Sequence, residues 1–275
     1  MDKRAVLDRA ASSSEERLLL GQVWDKYEQC RLKSLPAATA FLSPQEQLAA
    51  RRLLSAIGAQ DGFCFYGGYD GAERCRLCFL PEWAWEVEEG CVRAIRCTWH
   101  QSGELTHRDF LGSLMGMGVT RQSVGDILVS QESADVLVSG GVADFLLQSW
   151  DSAGRTHLKV QEIPLEHIHI PVAKTKLIRD TVPQLRLDSV VSSGFSISRG
   201  KAAEAIESGR VQLNWAICQK CAAEVSAGDH ISLRGLGKCT VEEVGNQTKK
   251  GRIFVSIKRY LDVVREDITS NVDTL

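Results

Sequence analysis

Apolar positions change their period three times along the chain. Leu18, Leu19, Val23 and Tyr27 recur at helical spacing, and residues 1–58 as a whole read as helical. Within them, Ser43-Pro44-Gln45-Glu46 predicts a helix start, with Ser43 as N-cap, proline in the first helical position and Glu46 reaching back to close a capping box. Gly58 is placed to end that helix. GFCFYGGYDGAERCRLCFLP, residues 62–81, reads as two strands around a turn at Asp70-Gly71. Residues 1–90 therefore form a mixed helical and β N-terminal domain.

Residues 91–172 carry a second pattern. CVRAIRCTWH is strand-like, and THRDFLGSLMGMGV opens with Thr106 and Asp109 in capping-box spacing. Phe110, Leu111, Leu114 and Met115 then share one helical face. DILVS and ADVLVSG are short apolar strands, VADFLLQSW a second helix and HLKVQEIPL a closing strand. The order βαββαβ is the split βαβ arrangement of ferredoxin-like and RNA-recognition folds. The aromatic signature with which RNA-recognition modules stack bases is not evident here, so the fold alone does not assign RNA to this domain.

Lys174, Lys176 and Arg179 lie between Pro171 and Pro183, and residues 173–182 read as a linker. From 183 to 260 the pattern changes again, to two short helices followed by strands with glycine-rich turns. The last fifteen residues are polar and expected to fray. The chain is thus expected to be α+β, with domains at 1–90, 91–172 and 183–260.

Composition and charge add further constraints. Of 275 residues, 44% are hydrophobic and 25% charged, enough apolar material for cores of this size. No apolar run approaches the length of a membrane span, so no membrane partner is expected. The N-terminus has Asp2, Asp8, Glu15 and Glu16 and no apolar core, which fits neither a signal nor a transit peptide and points to the cytoplasm. Nine cysteines, an odd number, fit reduced thiols better than a disulfide framework. The net charge of −2 hides an asymmetry. Residues 174–260 carry a net of +7, residues 1–173 a net of −6 and residues 261–275 a net of −3. The basic region marks where an anionic partner would bind.

Candidate chemistry concentrates in SRGKAAEAIESGRVQLNW, residues 198–215. Ser198 is a good N-cap, Ala202, Ala205 and Ile206 continue a helix, and Gly209 stops it. Arg199 and Lys201 stand in the first turn, where the helix dipole makes each exposed cation unfavourable by about 0.3–1 kcal/mol. A phosphate at that end reverses the sign, because it meets free amides, a hydroxyl and two cations together. Taken by itself, the stretch also describes a solvated helix start with two incidental charges. Upstream, LRLDSVVSSGF puts Leu187, Val190 and Val191 on the inner face of a helix closed by Gly194, with Arg186 at its start. Downstream, Arg234 and Lys238 flank a glycine turn. Lys249 and Lys250 then lead into RIFVSIKRY. There Ile253, Val255 and Ile257 face one way while Arg252, Phe254, Ser256 and Lys258 face the other. Cations around an exposed aromatic suit a phosphate backbone and a stacked base. They also suit an edge strand kept soluble by charge.

Residues 183–260 resemble the RNA-binding module named after ribosomal protein S-four. The resemblance rests on Arg186-Leu187-Asp188, a short apolar helix, Ser198-Arg199, Lys201, a second helix, and Gly209-Arg210-Val211 with Asn214. Trp215 departs from it, since most such modules have glycine after the asparagine. Over roughly residues 90–260, LTHRDFLGSLMGMGVTRQSVGDILV, the Asn214-Trp215 pair and TKKGRIFVSIKRYL are similar to the YlmH-like family, which includes photosystem II S-four-domain proteins. That resemblance implies ribosomal or transfer RNA as ligand and a maintenance or rescue task at the large ribosomal subunit. It implies an RNA face formed by Arg186, Ser198, Arg199, Lys201, Arg210 and Asn214, with Asn214 also able to hold the strand turn. In the central domain, His107, Arg108 and Arg121 match the family's basic positions; a capped surface helix and a turn cation account for them equally well.

Other signals carry less. Cys75 and Cys78 are far in sequence from Cys218 and Cys221, and an offset of three on a strand sends two thiols to opposite faces, poor geometry for zinc. His167 and His169 have strand spacing but no further ligand set, and Met115 and Met117 read as core filling. Pseudouridine synthases also carry Arg-Leu-Asp, but in a catalytic domain outside their RNA module, whereas here the triplet opens the module. The expectation is therefore an RNA-binding protein without enzymatic activity or cofactor. An adaptor that recruits a protein through residues 1–90 is the second reading.

Overall fold

The computed structural model describes residues 2–100, 105–172 and 174–261, and the chain divides after Pro171 into two compact units. In the first, α1 (Lys3–Ala10), α2 (Ser14–Lys33) and α3 (Pro44–Ala56) pack on an antiparallel sheet of β1 (Ala37–Leu42), β2 (Phe63–Tyr66) and β3 (Cys75–Phe79), in the order β1-β3-β2. The capping box forms as expected: the Ser43 hydroxyl accepts from the Glu46 amide, and the Glu46 carboxylate accepts from the Ser43 amide. Gly58 follows the helix at φ +76°.

The expectation of helix throughout 1–58 fails at β1. Ser34 turns the chain left-handed at φ +54°, and Pro36 bars helix continuation. Alanine-rich AATAFL then pairs with β3, where the Thr39 hydroxyl accepts from the Leu77 amide at 3.0 Å. Tertiary pairing overrides local helix propensity here. The buried stripe of α2 is Leu20, Val23 and Trp24, while Leu18 is exposed.

The same unit contains β4 (Val92–Thr98), α4 (His107–Gly116), β5 (Val124–Val129), β6 (Ser133–Ser139), α5 (Gly140–Ser149), a small hairpin of β7 (Ser152–Ala153) and β8 (Thr156–His157), and β9 (Lys159–Ile163). The sheet order β5-β6-β4-β9 is the split βαβ topology that the sequence predicted. Phe110, Leu114 and Leu146 of the two helices cover Ile95, Cys97, Val136 and Val138 on one face.

The opposite face is covered too. Ala94, Leu137 and Ile163 are buried together with Phe41 of β1, and Tyr69 and Leu165 pack against them. Arg96 makes a bidentate pair with buried Asp135 at 2.7 Å through both donors. Arg96 also donates to the His167 carbonyl, and the His169 amide donates to Asp135. His167 thus ends a short turn rather than lying on a strand, and the segment around it is fastened to the sheet through its backbone.

The second unit is a six-stranded antiparallel sheet with two helices on it. Its elements are β10 (Thr175–Val182), α6 (Leu187–Phe195), α7 (Arg199–Glu207), β11 (Val211–Leu213), β12 (Ala216–Ile217), β13 (His230–Leu233), β14 (Gly237–Gln247) and β15 (Ile253–Tyr260). The order is β10-β15-β14-β13-β11-β12. The stretch expected as a linker is therefore mostly a strand, β10, paired with β15 from Thr175 to Val182. Its charged residues mislead because an edge strand needs such residues to stay soluble. Leu187, Val190, Val191, Ala202, Ala205 and Ile206 form the helical side of the core against Ile231, Val255 and Ile257. Gly194 does not end α6 as expected. It lies inside the helix, where an added Cβ would come within 3.2 Å of the Cys239 sulfur and 3.3 Å of Ile257, and Ser196 takes the left-handed turn at φ +55°. The residues expected to fray lie outside the described residues, apart from Leu261.

Two glycines test this packing with opposite signs. A Cβ on Gly125 would stand 2.7 Å from the Phe41 ring, whereas Gly112 in α4 faces open space. Gly125→Ala is expected to cost about 1–3 kcal/mol through overpacking, and Gly112→Ala to gain about 0.5–1 kcal/mol in helix propensity. Urea unfolding midpoints measure both.

Candidate nucleic-acid interface

The turn between α6 and α7 builds the centre of the candidate interface. Arg186 is the N-cap residue of α6, Asp188 sits in its first turn, and Ser198 caps α7 by accepting from the Lys201 amide at 3.3 Å. The Leu187 and Asp188 amides donate to the carbonyls of Ala223 and Cys221, which seats the start of α6. Arg186 reaches the two Asp188 oxygens at 3.2 Å each, and Arg199 reaches Asp188 Oδ2 at 3.1 and 3.0 Å. The carboxylate is buried, while the Arg199 side chain keeps about half its surface exposed.

Arg199 at the helix head therefore has a negative partner within the chain, Asp188, which the sequence alone did not reveal. Burial by itself raises the Asp188 pKa, but the hydrogen bonds from Arg186 and Arg199 outweigh it and the net shift is downward. Two guanidinium groups on one carboxylate leave a surplus positive charge, beside exposed Lys201.

Two grooves of this unit are lined by arginines. One, of about 490 Å³, places Arg199 and Arg252 with Arg179 among Ser189, Ser192, Ser193 and Ser196. Arg252 is anchored there to Thr181, whose hydroxyl it meets at 2.9 Å. The other, of about 950 Å³, gathers Arg210, Arg234, Arg259 and Tyr260. Lys238 stacks its ammonium 5.4 Å from the Tyr260 ring. Arg210 also lies near Ser208 and, at 4.0 Å, near Glu204. Arg179 and Arg259 were missed from sequence, the first because its strand read as a linker. Arg259 falls one residue beyond the Arg252–Lys258 alternation, and only the β14–β15 register, which sets it opposite Cys239 near the start of β14, brings it to this groove.

The remaining positions are distributed. Lys249 and Lys250 are exposed in the β14–β15 turn. Phe254 is half exposed on β15, and Lys258 pairs with Glu242 at 3.1 Å. Asn214 is used internally: its amide donates to Asp229 at 2.8 Å, and its carbonyl oxygen accepts from the His230 amide at 2.9 Å. Asn214 and Trp215 both have positive φ, +48° and +64°, making a two-residue turn between β11 and β12. Trp215 holds a backbone conformation that costs a non-glycine residue about 1–2 kcal/mol. Its ring lies on His230, with centroids 4.9 Å apart at 31°.

In the first unit, His107 and Arg108 are exposed at the start of α4. Although the residue as a whole is exposed, desolvation of the ring by its surroundings and then the Arg121 charge lower the His107 pKa. Arg121 is half-buried and donates to the Val124 and Gly125 carbonyls at 2.7 and 3.1 Å. Burial, with Arg74 nearby, lowers its pKa to about 10. The sheet face that RNA-recognition modules present to bases is occupied by Phe41, Tyr69 and Leu165. Among the described residues, no group of three or more His, Cys, Asp or Glu is arranged to hold a metal ion. No helix among them is long and apolar enough to cross a membrane.

Asp188→Asn is expected to lower stability by about 1–3 kcal/mol through lost charge-assisted hydrogen bonds. Because the folded Asp188 pKa is depressed, the difference from wild type should be full above its ordinary value of 3.8 and shrink as the pH falls below it. Urea titrations at several pH values measure this. Asn214→Ala should cost about 2 kcal/mol in the same assay, for two lost hydrogen bonds.

Comparison with known proteins supplies three results. The model described as "Putative RNA-binding domain in YlmH" matches residues 100–167, and the S4 domain model matches residues 185–231. The chain is 33% identical over 264 residues to the "Ribosome-associated protein quality control protein P2" of Bacillus subtilis, covering 94% of this chain and 95% of that protein. A solved structure titled "Cell division protein ylmH from Streptococcus pneumoniae" aligns with a TM-score of 0.47 and 21% identity, covering 58% of this chain and 98% of that one.

Proposed function

Because the chain belongs to the YlmH family together with the Bacillus subtilis quality control protein, we propose that it binds structured ribosomal or transfer RNA and works at the large ribosomal subunit in maintenance or rescue. The observation that carries this reading is the pair of guanidinium groups fixed on Asp188 beside the N-terminus of α7, next to Lys201. Fixed cations at a helix N-terminus, where the Arg199 and Gly200 amides stand ahead of the capped Lys201 amide, suit phosphate oxygens. Two grooves of the same unit, one lined by Arg199, Arg252 and Arg179 and the other by Arg210, Arg234 and Arg259, supply further cations, which suits a folded RNA better than a single phosphate. Asp188 stands under two guanidinium groups rather than at an open site, an environment of a structural carboxylate, so no pseudouridine synthase chemistry is assigned to the Arg186-Leu187-Asp188 triplet.

The adaptor reading keeps one supporting observation. Trp83 and Trp85 are 60% and 91% exposed in a loop that also holds Glu82, Glu86, Glu88 and Glu89. Exposed tryptophans among acidic residues suit a basic protein segment.

Arg199→Ala combined with Lys201→Ala is expected to weaken binding to ribosomal particles at least tenfold and to reduce the salt dependence of log K by about 1–2. Circular dichroism should show a folded protein. Wild-type affinity in the double variant at moderate salt would reject the assignment. Sucrose-gradient sedimentation of lysate then identifies the particle: co-migration with free large subunits supports the subunit assignment, and absence from ribosomal fractions shifts it to free transfer RNA or to the adaptor reading.

A further inference from the structure

Cys78 and Cys91 lie with their sulfurs 3.7 Å apart, although 13 residues separate them in the chain. Cys78 is buried on β3 at 2% exposure, and Cys91 is half-buried just before β4. Arg76 places a guanidinium nitrogen 2.5 Å from the Cys91 carbonyl oxygen, which brings a positive charge to the pair. A hydrogen bond from the Cys78 thiol and the Arg76 charge hold Cys91 down at about 7, while the same contact and burial push Cys78 up. A half-buried sulfur thus lies 3.7 Å from a buried one beside a guanidinium group, the pairing found in peroxide-sensitive dithiols.

We propose that Cys78 and Cys91 form a reversible disulfide on exposure to hydrogen peroxide. The Cys91 thiolate attacks one peroxide oxygen; the O–O bond breaks, hydroxide leaves and Cys91 becomes a sulfenic acid. The Cys78 sulfur then attacks the Cys91 sulfur. The S–S bond forms, the S–O bond breaks, and the leaving hydroxide takes the Cys78 proton as water. Two thiols lose two electrons, and one peroxide becomes two waters. The bridge closes the loop that carries Trp83 and Trp85, so oxidation restrains the segment that presents those side chains.

The test is peptide mapping of the full chain under non-reducing conditions after treatment with a slight excess of hydrogen peroxide. The expected result is a Cys78–Cys91 linked peptide, absent after dithiothreitol, with those two thiols lost to alkylation and regained on reduction. Cys78→Ser should leave a sulfenic acid on Cys91 that dimedone traps, and Cys91→Ser should leave Cys78 reduced. Cys64 stands directly opposite Cys78 in the β2–β3 register and is the internal competitor. A Cys64–Cys78 linkage in the wild-type protein would overturn the proposal. So would Cys78 and Cys91 both remaining alkylatable, or Cys91 proceeding to sulfinic acid without a bridge.

Discussion

Asp188 lies almost out of solvent between Arg186 and Arg199, and a carboxylate so placed is destabilising by several kcal/mol unless charged donors reach it. The two arginines meet that demand from different helices. One stands before α6 and the other opens α7, so the ion cluster also ties the two helix starts together. The cations are held by the fold before any ligand arrives. Their ordering entropy is lost at folding rather than at binding, which is how preorganised sites gain affinity. The cluster thus ties the two helices together with the same atoms that the proposed function would turn toward RNA.

The first unit solves a different problem. A four-stranded sheet with helices on one side leaves the other side apolar, and here the chain's own N-terminal part covers it. Phe41 enters from β1, Tyr69 from the loop after β2 and Leu165 from the turn after β9. Asp126 strengthens the junction by accepting from the Tyr69 hydroxyl and from the Glu73 and Arg74 amides at 2.7–3.0 Å. The topology of an RNA-recognition module is present while its usual binding face is spent on packing. This separates fold from function in this part of the molecule.

Much of this was legible in the residues. The Ser43 and Ser198 caps, the βαββαβ order and the inward set Ile253, Val255 and Ile257 follow from short-range rules that tertiary structure does not disturb. What was not legible depended on distant partners. AATAFL is a strand because β3 needs a neighbour, and residues 175–182 are a strand because β15 does. The same holds for the site. Arg186 and Arg199 could be picked out by residue type and spacing. That Asp188 joins them could not, because the contact spans a turn whose geometry no local pattern fixes. Asn214 was marked as a possible ligand residue or turn holder, and both its amide atoms prove to be used within the turn. Trp215 occupies a left-handed position where glycine is the usual resident of such modules, a substitution compensated by contact with His230 rather than by any nearby sequence signal.

The covered sheet face has a practical corollary for dissection of the protein. A truncation at residue 90 follows the boundary suggested by sequence pattern, yet it would strip Phe41 and Tyr69 from Ala94, Leu137 and Ile163 and leave a sticky fragment prone to self-association. Cleavage between Pro171 and Val172 leaves each hydrophobic nucleus intact, so fragments meant to assign activities to parts of the chain belong on either side of that peptide bond.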